Sequence, residues 1–156
     1  MNISNQKVNN SIKILESLKM EIKKKILMIE DDVNCVNVIK LVLESKNFNF
    51  DCAYSAAEGL VKIKEYKPDL IILDVIMEDF VAGFRVVSEL RTGGENSVYK
   101  EFSNVPILML TSVTSKTNLD FSSRVGTALL PVDAFIEKPV KPTELLFKID
   151  ELLVEK

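Results

Sequence analysis

The stretch Leu70-Ile71-Ile72-Leu73-Asp74 decides the fold of this chain. Four consecutive apolar residues are typical of a strand that is buried on both faces, as in a parallel sheet. The strand ends in a carboxylate, and burying an ionised carboxylate is costly unless it is paired or binds a cation. Ligands of open α/β sheets bind beyond the carboxyl ends of the strands, so Asp74 is the first candidate functional residue. The alternative is that Asp74 only caps the following turn, and this stretch alone favours neither reading.

The rest of the chain alternates strands and helices around this central strand. Apolar runs predict further strands at 26–29, 48–54, 106–110 and 132–136, and the mixed polarity of 48–54 favours a sheet edge. Helical periodicity predicts helices at 33–46, 55–66, 83–91 and 143–154, the second opened by a capping box formed by Ser55 and Glu58. This alternation predicts an α/β fold, a doubly wound, five-stranded parallel sheet covered on both faces.

The N-terminal residues 1–25 are distinct from the domain that follows at 26–156. Val8, Leu15 and Ile22 recur every seven residues and place an apolar stripe along a short, lysine-rich helix. Two heptads are too few for a coiled coil, and short isolated helices are marginal in water. Packing on the chain's own domain or partial disorder is therefore favoured, and a homodimer through this helix is the alternative hypothesis.

Composition limits the function classes that remain. The chain has 156 residues and a net charge of −3, which gives no general attraction to nucleic acid. It contains no histidine, which excludes Ser-His and Cys-His catalysis, and its two cysteines match no metal-ligand spacing. There is no apolar run long enough to span a membrane and no secretory signal, so we expect a cytoplasmic protein by default.

Polar residues follow the apolar runs at the points where four strands end. Glu30 and Asp31 follow the first, Asp74 ends the third, Thr111 follows the fourth and Lys138 follows the fifth. Parallel strands bring these ends to one edge of the sheet. Neighbouring carboxylates repel one another unless a cation intervenes, and Mg²⁺ prefers such oxygen ligands. A hydroxyl donor and an ammonium group complete a pocket suited to a phosphoryl group.

The same pocket residues suggest where a phosphoryl group would become attached to the protein. No glycine-rich loop is present to cradle a nucleotide, so bound ATP is not the expected source of the phosphate. A carboxylate can itself be the nucleophile and become an aspartyl phosphate. Asp74, in the middle of the predicted sheet, is the best candidate for that role.

Four segments resemble the receiver domains of bacterial two-component response regulators. They are ILMIEDD at 26–32, LIILDVIM at 70–77, ILMLTS at 107–112 and FIEKP at 135–139. The resemblance covers residues 26–153, and it implies the flavodoxin-like strand order 2-1-3-4-5. Only a short helix lies outside it, so we expect a stand-alone receiver that signals through an unknown partner protein, with no direct contact to nucleic acid or membrane.

The resemblance also implies the chemistry of the acidic residues. Asp74 would accept a phosphoryl group from a histidine kinase or a phosphotransfer protein, with Mg²⁺ as the cofactor. Asp31 would bind Mg²⁺ directly, Glu30 would act through water, and the backbone carbonyl of Ile76 would complete the metal shell. Asp32 aligns one place later and is not expected to be a ligand.

The remaining roles come from the same resemblance. Thr111 would donate to a phosphoryl oxygen, Lys138 would pair with it, and the Lys138-Pro139 bond would be cis. Phe135 matches an aromatic position that turns inward on activation, and plain core packing is an equally good reading of it. Both Thr111 and Phe135 are therefore candidate switch residues.

Three features depart from the family pattern. Glu78 stands where a proline is usual, the loop that continues through 79–82 is about one residue longer, and the sequence of 113–131 lacks the usual fourth-helix pattern. Ile76 and Val113, two residues beyond Asp74 and Thr111, would flank an attacking water. Because neither apolar side chain can orient that water, the sequence predicts slow self-dephosphorylation.

We expect a signalling receiver that accepts a phosphoryl group and is not an enzyme. Two other function classes are alternatives to this expectation. A phosphohydrolase of the haloacid dehalogenase type would need a second Asp two residues after the nucleophile, where this chain has Ile76. A receiver fold that serves only as a binding scaffold would not need the complete set of pocket residues, although the altered 113–131 segment keeps this alternative open.

Overall fold

A five-stranded parallel sheet forms the centre of the protein, in a computed structural model that describes residues 3–21, 23–77, 79, 81–92, 94, 96–112 and 131–154. The strands are β1 Lys25–Ile29, β2 Asn49–Ala53, β3 Leu70–Asp74, β4 Ile107–Thr111 and β5 Ala134–Glu137. Their order is β2-β1-β3-β4-β5, and every neighbouring pair is parallel. This confirms the predicted fold class and strand order, with β2 at an edge.

Helices follow the first three strands and the last strand of the described residues, and they cover both faces of the sheet. The described residues contain α1 Ile3–Glu21, α2 Val33–Ser45, α3 Ala56–Tyr66, α4 Ala82–Thr92 and α5 Pro142–Val154, together with a short 3-10 helix at Lys100–Phe102. The last four α-helices agree with the predicted ranges to within one residue at each end. The predictions for 113–130 and for Glu78 lie outside the described residues.

Alternate side chains of each central strand enter two different cores. On β3, Ile71 and Leu73 pack with residues of α3 and α4, whereas Leu70 and Ile72 pack with residues of α2 and α5. All five residues of β3 are buried, as the uninterrupted apolar run predicted. The two cores fix β3 in the middle of the molecule and so place Asp74 at the centre of one sheet edge.

The predicted capping box at the start of α3 forms in a modified way. The backbone N–H of Glu58 donates to Ser55 Oγ at 3.1 Å, as expected. The Glu58 carboxylate accepts from the backbone N–H of Tyr54 at 2.8 Å, one residue earlier than in the standard box. The box therefore fastens the end of β2 to α3.

Arg91, in the last turn of α4, fastens the opposite edge of the sheet. Its guanidinium donates to the carbonyl oxygens of Pro131 at 3.1 Å, Ser103 at 2.5 Å and Val105 at 2.8 Å. It also contacts Asp133 Oδ2 at 3.0 Å, and that carboxylate accepts from the backbone N–H that opens β4. One half-buried side chain thus joins the entries to β4 and β5.

Two residues of the predicted apolar stripe on helix α1, Val8 and Leu15, are exposed. Residues 6–15 are all exposed, and they include Val8, Ile12 and Leu15. The expected packing of this helix on the chain's own domain is therefore not found over 6–15. Among the described residues, no helix combines the length and the apolar composition that a membrane span requires.

Candidate functional site

The polar residues at the strand ends lie together at one edge of the sheet. Asp74 closes β3 and is 4% exposed, and Glu30, directly after β1, is 1% exposed. The backbone N–H of Glu30 donates to Ala53 O at 3.0 Å, so β2 holds the position of this residue. Two carboxylates are thus buried side by side, which requires a compensating positive charge.

Lys138 provides that positive charge. Its Nζ lies 2.6 Å from Glu30 Oε2 and 2.7 Å from Asp74 Oδ2, donating to both. Burial alone would lower the pKa of Lys138, but the hydrogen bonds to Asp74 and Glu30 raise it above its usual value. The ammonium group therefore stays charged and bridges the ends of β1 and β3.

Glu30 has an unusual proton affinity for a carboxyl group. Burial raises its pKa from 4.5 to about 7, and the neighbouring Asp74 adds to this rise, while Lys138 opposes it. Its other oxygen, Oε1, accepts from the backbone N–H of Asp32 at 3.2 Å. Glu30 is therefore held from two sides and is poised to exchange a proton near neutral pH.

Glu30, Asp31 and Asp74 form a cluster that fits a divalent cation. One carboxylate oxygen from each lies within 4.8 Å of the other two, and Asp31 is the exposed member. Mg²⁺ takes hard oxygen ligands and commonly uses one or two carboxylates together with water and phosphate oxygens. The donor set and its spacing fit the expected Mg²⁺.

Asp32 has a different task from its two acidic neighbours. Its Oδ1 accepts from the backbone N–H groups of Asn34 at 2.9 Å and Cys35 at 3.4 Å, so it is the N-cap of α2. That Asp32 is a less favourable metal ligand than Asp31 stays a prediction.

The backbone beyond Asp74 is attached to the Asp74 side chain. The N–H of Ile76 donates to Asp74 Oδ1 at 3.1 Å, leaving Oδ2 to Lys138. The half-buried side chain of Ile76 packs against the core between the sheet, α3 and α4. Ile76 therefore lies beside the carboxylate as expected, and the role of its carbonyl as a metal ligand stays a prediction.

Thr111 and Phe135 lie on the β4–β5 side of the site. Thr111 ends β4, is 1% exposed, and accepts at its carbonyl from the N–H of Lys138 at 2.8 Å. The Lys138-Pro139 peptide bond is cis, as expected. Phe135 is half-buried against the core, and both readings of it, switch and core residue, stay open.

An apolar groove of about 330 Å³ adjoins Lys138, between α2 and the turn after β5. Val38, Ile39, Pro139 and Val140 line it. Burial, followed by the charge of Glu30, raises the pKa of Cys35 in its wall to about 11. The thiol is therefore neutral at pH 7, so it adds no charge to the groove beside Lys138.

Gly83 packs closely against the backbone of Asp74, a contact that the sequence analysis does not predict. Gly83 was expected only to begin a helix, but a Cβ added to it would lie 2.3 Å from the backbone oxygen of Asp74. A glycine in the first turn of a helix is costly relative to alanine, and that cost was the available signal.

Comparisons with known proteins show which family this sequence matches. The sequence model of a family described as response regulator receiver domain matches residues 26–150. Curated relatives include the transcriptional regulatory protein YvrH of Bacillus subtilis, 34% identical over 80% of this chain and 46% of the relative. They also include the DNA-binding response regulator MtrA of Mycobacterium tuberculosis, 28% identical over 81% of this chain and 49% of the relative. The chain thus spans about half the length of these relatives.

Solved structures give the same result for the fold. A CheY-like receiver domain protein of Methanospirillum hungatei is 28% identical with a TM-score of 0.68, covering 85% of this chain and 95% of that one. The chemotaxis protein CheY4 of Vibrio cholerae is 25% identical with a TM-score of 0.68, covering 84% of this chain and 99% of that one.

Proposed function

Because the chain belongs to the response regulator receiver domain family, we propose that Asp74 accepts a phosphoryl group from a histidine kinase or a phosphotransfer protein. The observation that carries this proposal is the bridge from Lys138 Nζ to Glu30 and Asp74, beside a three-carboxylate cluster at the strand ends. In the transfer, an oxygen of Asp74 attacks phosphorus, a P–O bond forms and the P–N bond to the donor imidazole breaks. The leaving imidazole then takes up a proton from solvent.

The residues of the pocket have separate roles in this transfer. Asp31, Asp74 and the carbonyl of Ile76 would hold Mg²⁺ directly and Glu30 through water, and the bound ion supplies positive charge against the phosphoryl oxygens. The Lys138 ammonium group, which contacts Asp74 before transfer, forms an ion pair with the incoming phosphoryl group. The Thr111 hydroxyl donates to another phosphoryl oxygen, which couples the end of β4 to the phosphorylation state.

The test is the intact mass of the protein after incubation with acetyl phosphate and Mg²⁺. The wild type is expected to gain one phosphoryl group, and Asp74→Ala is expected to gain none. Asp150→Ala, which removes an exposed carboxylate from α5, is the matched control and should behave as the wild type. Equal labelling of wild type and Asp74→Ala would contradict the assignment, as would a lack of labelling in all three proteins.

We propose further that the aspartyl phosphate, once formed, hydrolyses slowly. The side chain of Ile76 beside Asp74 offers no hydrogen bond to an attacking water. Val113, the second residue of this argument, lies outside the described residues. Decay of the phosphoprotein within a few minutes after removal of acetyl phosphate would refute this, and Ile76→Asn is expected to speed the decay.

We propose that this protein signals in the cytoplasm through contacts with other proteins. The exposed side chains of Val8 and Leu15 on α1 support a second copy of the chain as one such contact, giving a homodimer through this helix. Light scattering over a concentration series, with and without residues 1–22, tests it: a monomer at every concentration would end the idea. The match to the relative named as a DNA-binding response regulator covers 49% of that relative, so the output of the whole protein is not assigned from this chain.

The two competing functions have less support from the site. A hydrolase of the dehalogenase type would need a second Asp at position 76, where this chain has Ile76. Turnover of p-nitrophenyl phosphate would support this function after all. A binding scaffold that is never phosphorylated does not account for the buried Glu30–Lys138–Asp74 bridge, since unused buried charges are costly.

A further inference from the structure

The first turn of α4 rests directly on the backbone that carries Asp74. Gly83 is buried there, and its N–H donates to Val75 O at 3.4 Å. A Cβ built on Gly83 would lie 2.3 Å from Asp74 O and 2.9 Å from Val75 Cα and Val75 O. Ordinary contacts begin near 3.4 Å, so any side chain would force the helix and the strand end about 1 Å apart. All three contacted atoms belong to backbone, which cannot turn aside as a side chain can.

The same backbone is held from its other side by β4. The N–H of Val75 donates to Leu110 O at 3.0 Å, so Val75 is clamped between β4 and α4. The next N–H along, that of Ile76, donates to Asp74 Oδ1. A displacement of Val75 would therefore move the donor that orients the Asp74 carboxylate, and with it the oxygen that faces Lys138.

We propose that Gly83 is a positioning residue for phosphoryl transfer: its bare Cα lets α4 rest on Asp74 and Val75, and that contact fixes the Asp74–Ile76 segment in the site. This inference rests on the proposed function of Asp74. Misplacing a reacting group by about 1 Å can cost on the order of 10²-fold in rate. Gly83→Ala is expected to slow phosphorylation by acetyl phosphate at saturation by about that factor, with little change in KM.

Gly59 provides a matched control. It is also a buried glycine in a helix, α3, and the three atoms nearest to an added Cβ all belong to the Ile29 side chain, the nearest at 2.5 Å. Gly59→Ala therefore adds the same methyl group and the same helix propensity under comparable crowding. Because it does not touch the backbone of Asp74, its phosphorylation rate should stay within about threefold of the wild type, where Gly83→Ala falls on the order of 10²-fold.

The decisive measurement, of backbone amide resonances by NMR, needs neither Mg²⁺ nor phosphate. In Mg²⁺-free protein, the amide resonances of Val75 and Ile76 should shift in Gly83→Ala and stay in place in Gly59→Ala. Mg²⁺ affinity, measured by calorimetry at a temperature where all variants are folded, should fall in Gly83→Ala only. A merely structural role for Gly83 would lower the unfolding temperature and leave these amides and the Mg²⁺ affinity unchanged.

A second variant keeps the proposal testable if Gly83→Ala does not fold. Ala82→Gly loosens the same turn of α4 without adding atoms, and it should move or broaden the same two amides and weaken Mg²⁺ binding several-fold. Unmoved amides together with wild-type Mg²⁺ affinity in the folded variants would overturn the proposal. If the wild type itself is not phosphorylated, the proposed function fails instead, while the amide and Mg²⁺ measurements still decide whether Gly83 fixes the Asp74–Ile76 segment.

Discussion

Replacing Lys138 by methionine removes the positive charge that holds two buried carboxylates together. Lys138 Nζ donates to Glu30 at 2.6 Å and to Asp74 at 2.7 Å, and these residues are only 1% and 4% exposed. Removing one partner of a buried ionic group costs about 3–5 kcal/mol. Because the Lys138 side chain is 23% exposed, we expect the lower end of that range, about 3 kcal/mol, at pH 8 without Mg²⁺.

This loss depends on pH in a defined direction. Burial raises the pKa of Glu30 to about 7 while Lys138 acts to lower it, so the pKa of Glu30 rises further in Lys138→Met. A carboxyl group whose pKa is higher in the folded than in the unfolded state binds a proton on folding, so stability rises as pH falls between the two values. The free energy of unfolding of the variant should therefore approach that of the wild type on going from pH 8 to pH 5.5.

Urea unfolding followed by circular dichroism measures this difference, since the chain has no tryptophan. Lys141→Met, which removes an exposed lysine three residues away, is the control and should change stability by less than about 0.5 kcal/mol. A loss in Lys138→Met of the same size at both pH values would refute the argument, and so would no loss at pH 8.

Three further results are expected. Asp32→Ala should cost about 1 kcal/mol of stability through the lost cap of α2, measured by urea unfolding, and phosphorylation by acetyl phosphate should persist; loss of phosphorylation in folded protein would make Asp32 a site residue. Arg91→Met should cost about 2–4 kcal/mol in the same assay, because it removes the Arg91 donor of three carbonyl groups and one of the two donors of Asp133; a cost below about 1 kcal/mol would contradict this anchoring role. Calorimetric titrations should show Mg²⁺ affinity falling by up to tenfold per pH unit below about pH 7, where Glu30 becomes protonated. A constant affinity from pH 8 to 5.5 would exclude a contribution of Glu30 to Mg²⁺ binding.

The sheet and the centre of the site were predictable because they depend on local patterns. The apolar run before Asp74 identified a doubly buried strand, and Lys138 could be placed near Asp74 because parallel strands end at one edge. Strand order itself came from the resemblance to receiver domains, since periodicity does not specify which strands are neighbours.

Contacts between distant residues could not be read from local patterns. Gly83 matters because of its distance to the backbone of another element, and Arg91 matters because its acceptors lie up to 42 residues away. The capping box was predicted from spacing, but its glutamate bonds Tyr54 because β2 brings that N–H into reach. Local rules specified which groups need partners, and the tertiary fold specified which partners they find.

The most direct test of the account locates the phosphoryl group on the chain. Protein treated with acetyl phosphate and Mg²⁺ is reduced with borohydride, which converts an aspartyl phosphate to homoserine, and peptide mass spectrometry finds the converted residue. We expect homoserine at position 74 and at no other aspartate position. Conversion at Asp31 or at an exposed aspartate, with residue 74 unchanged, would contradict it.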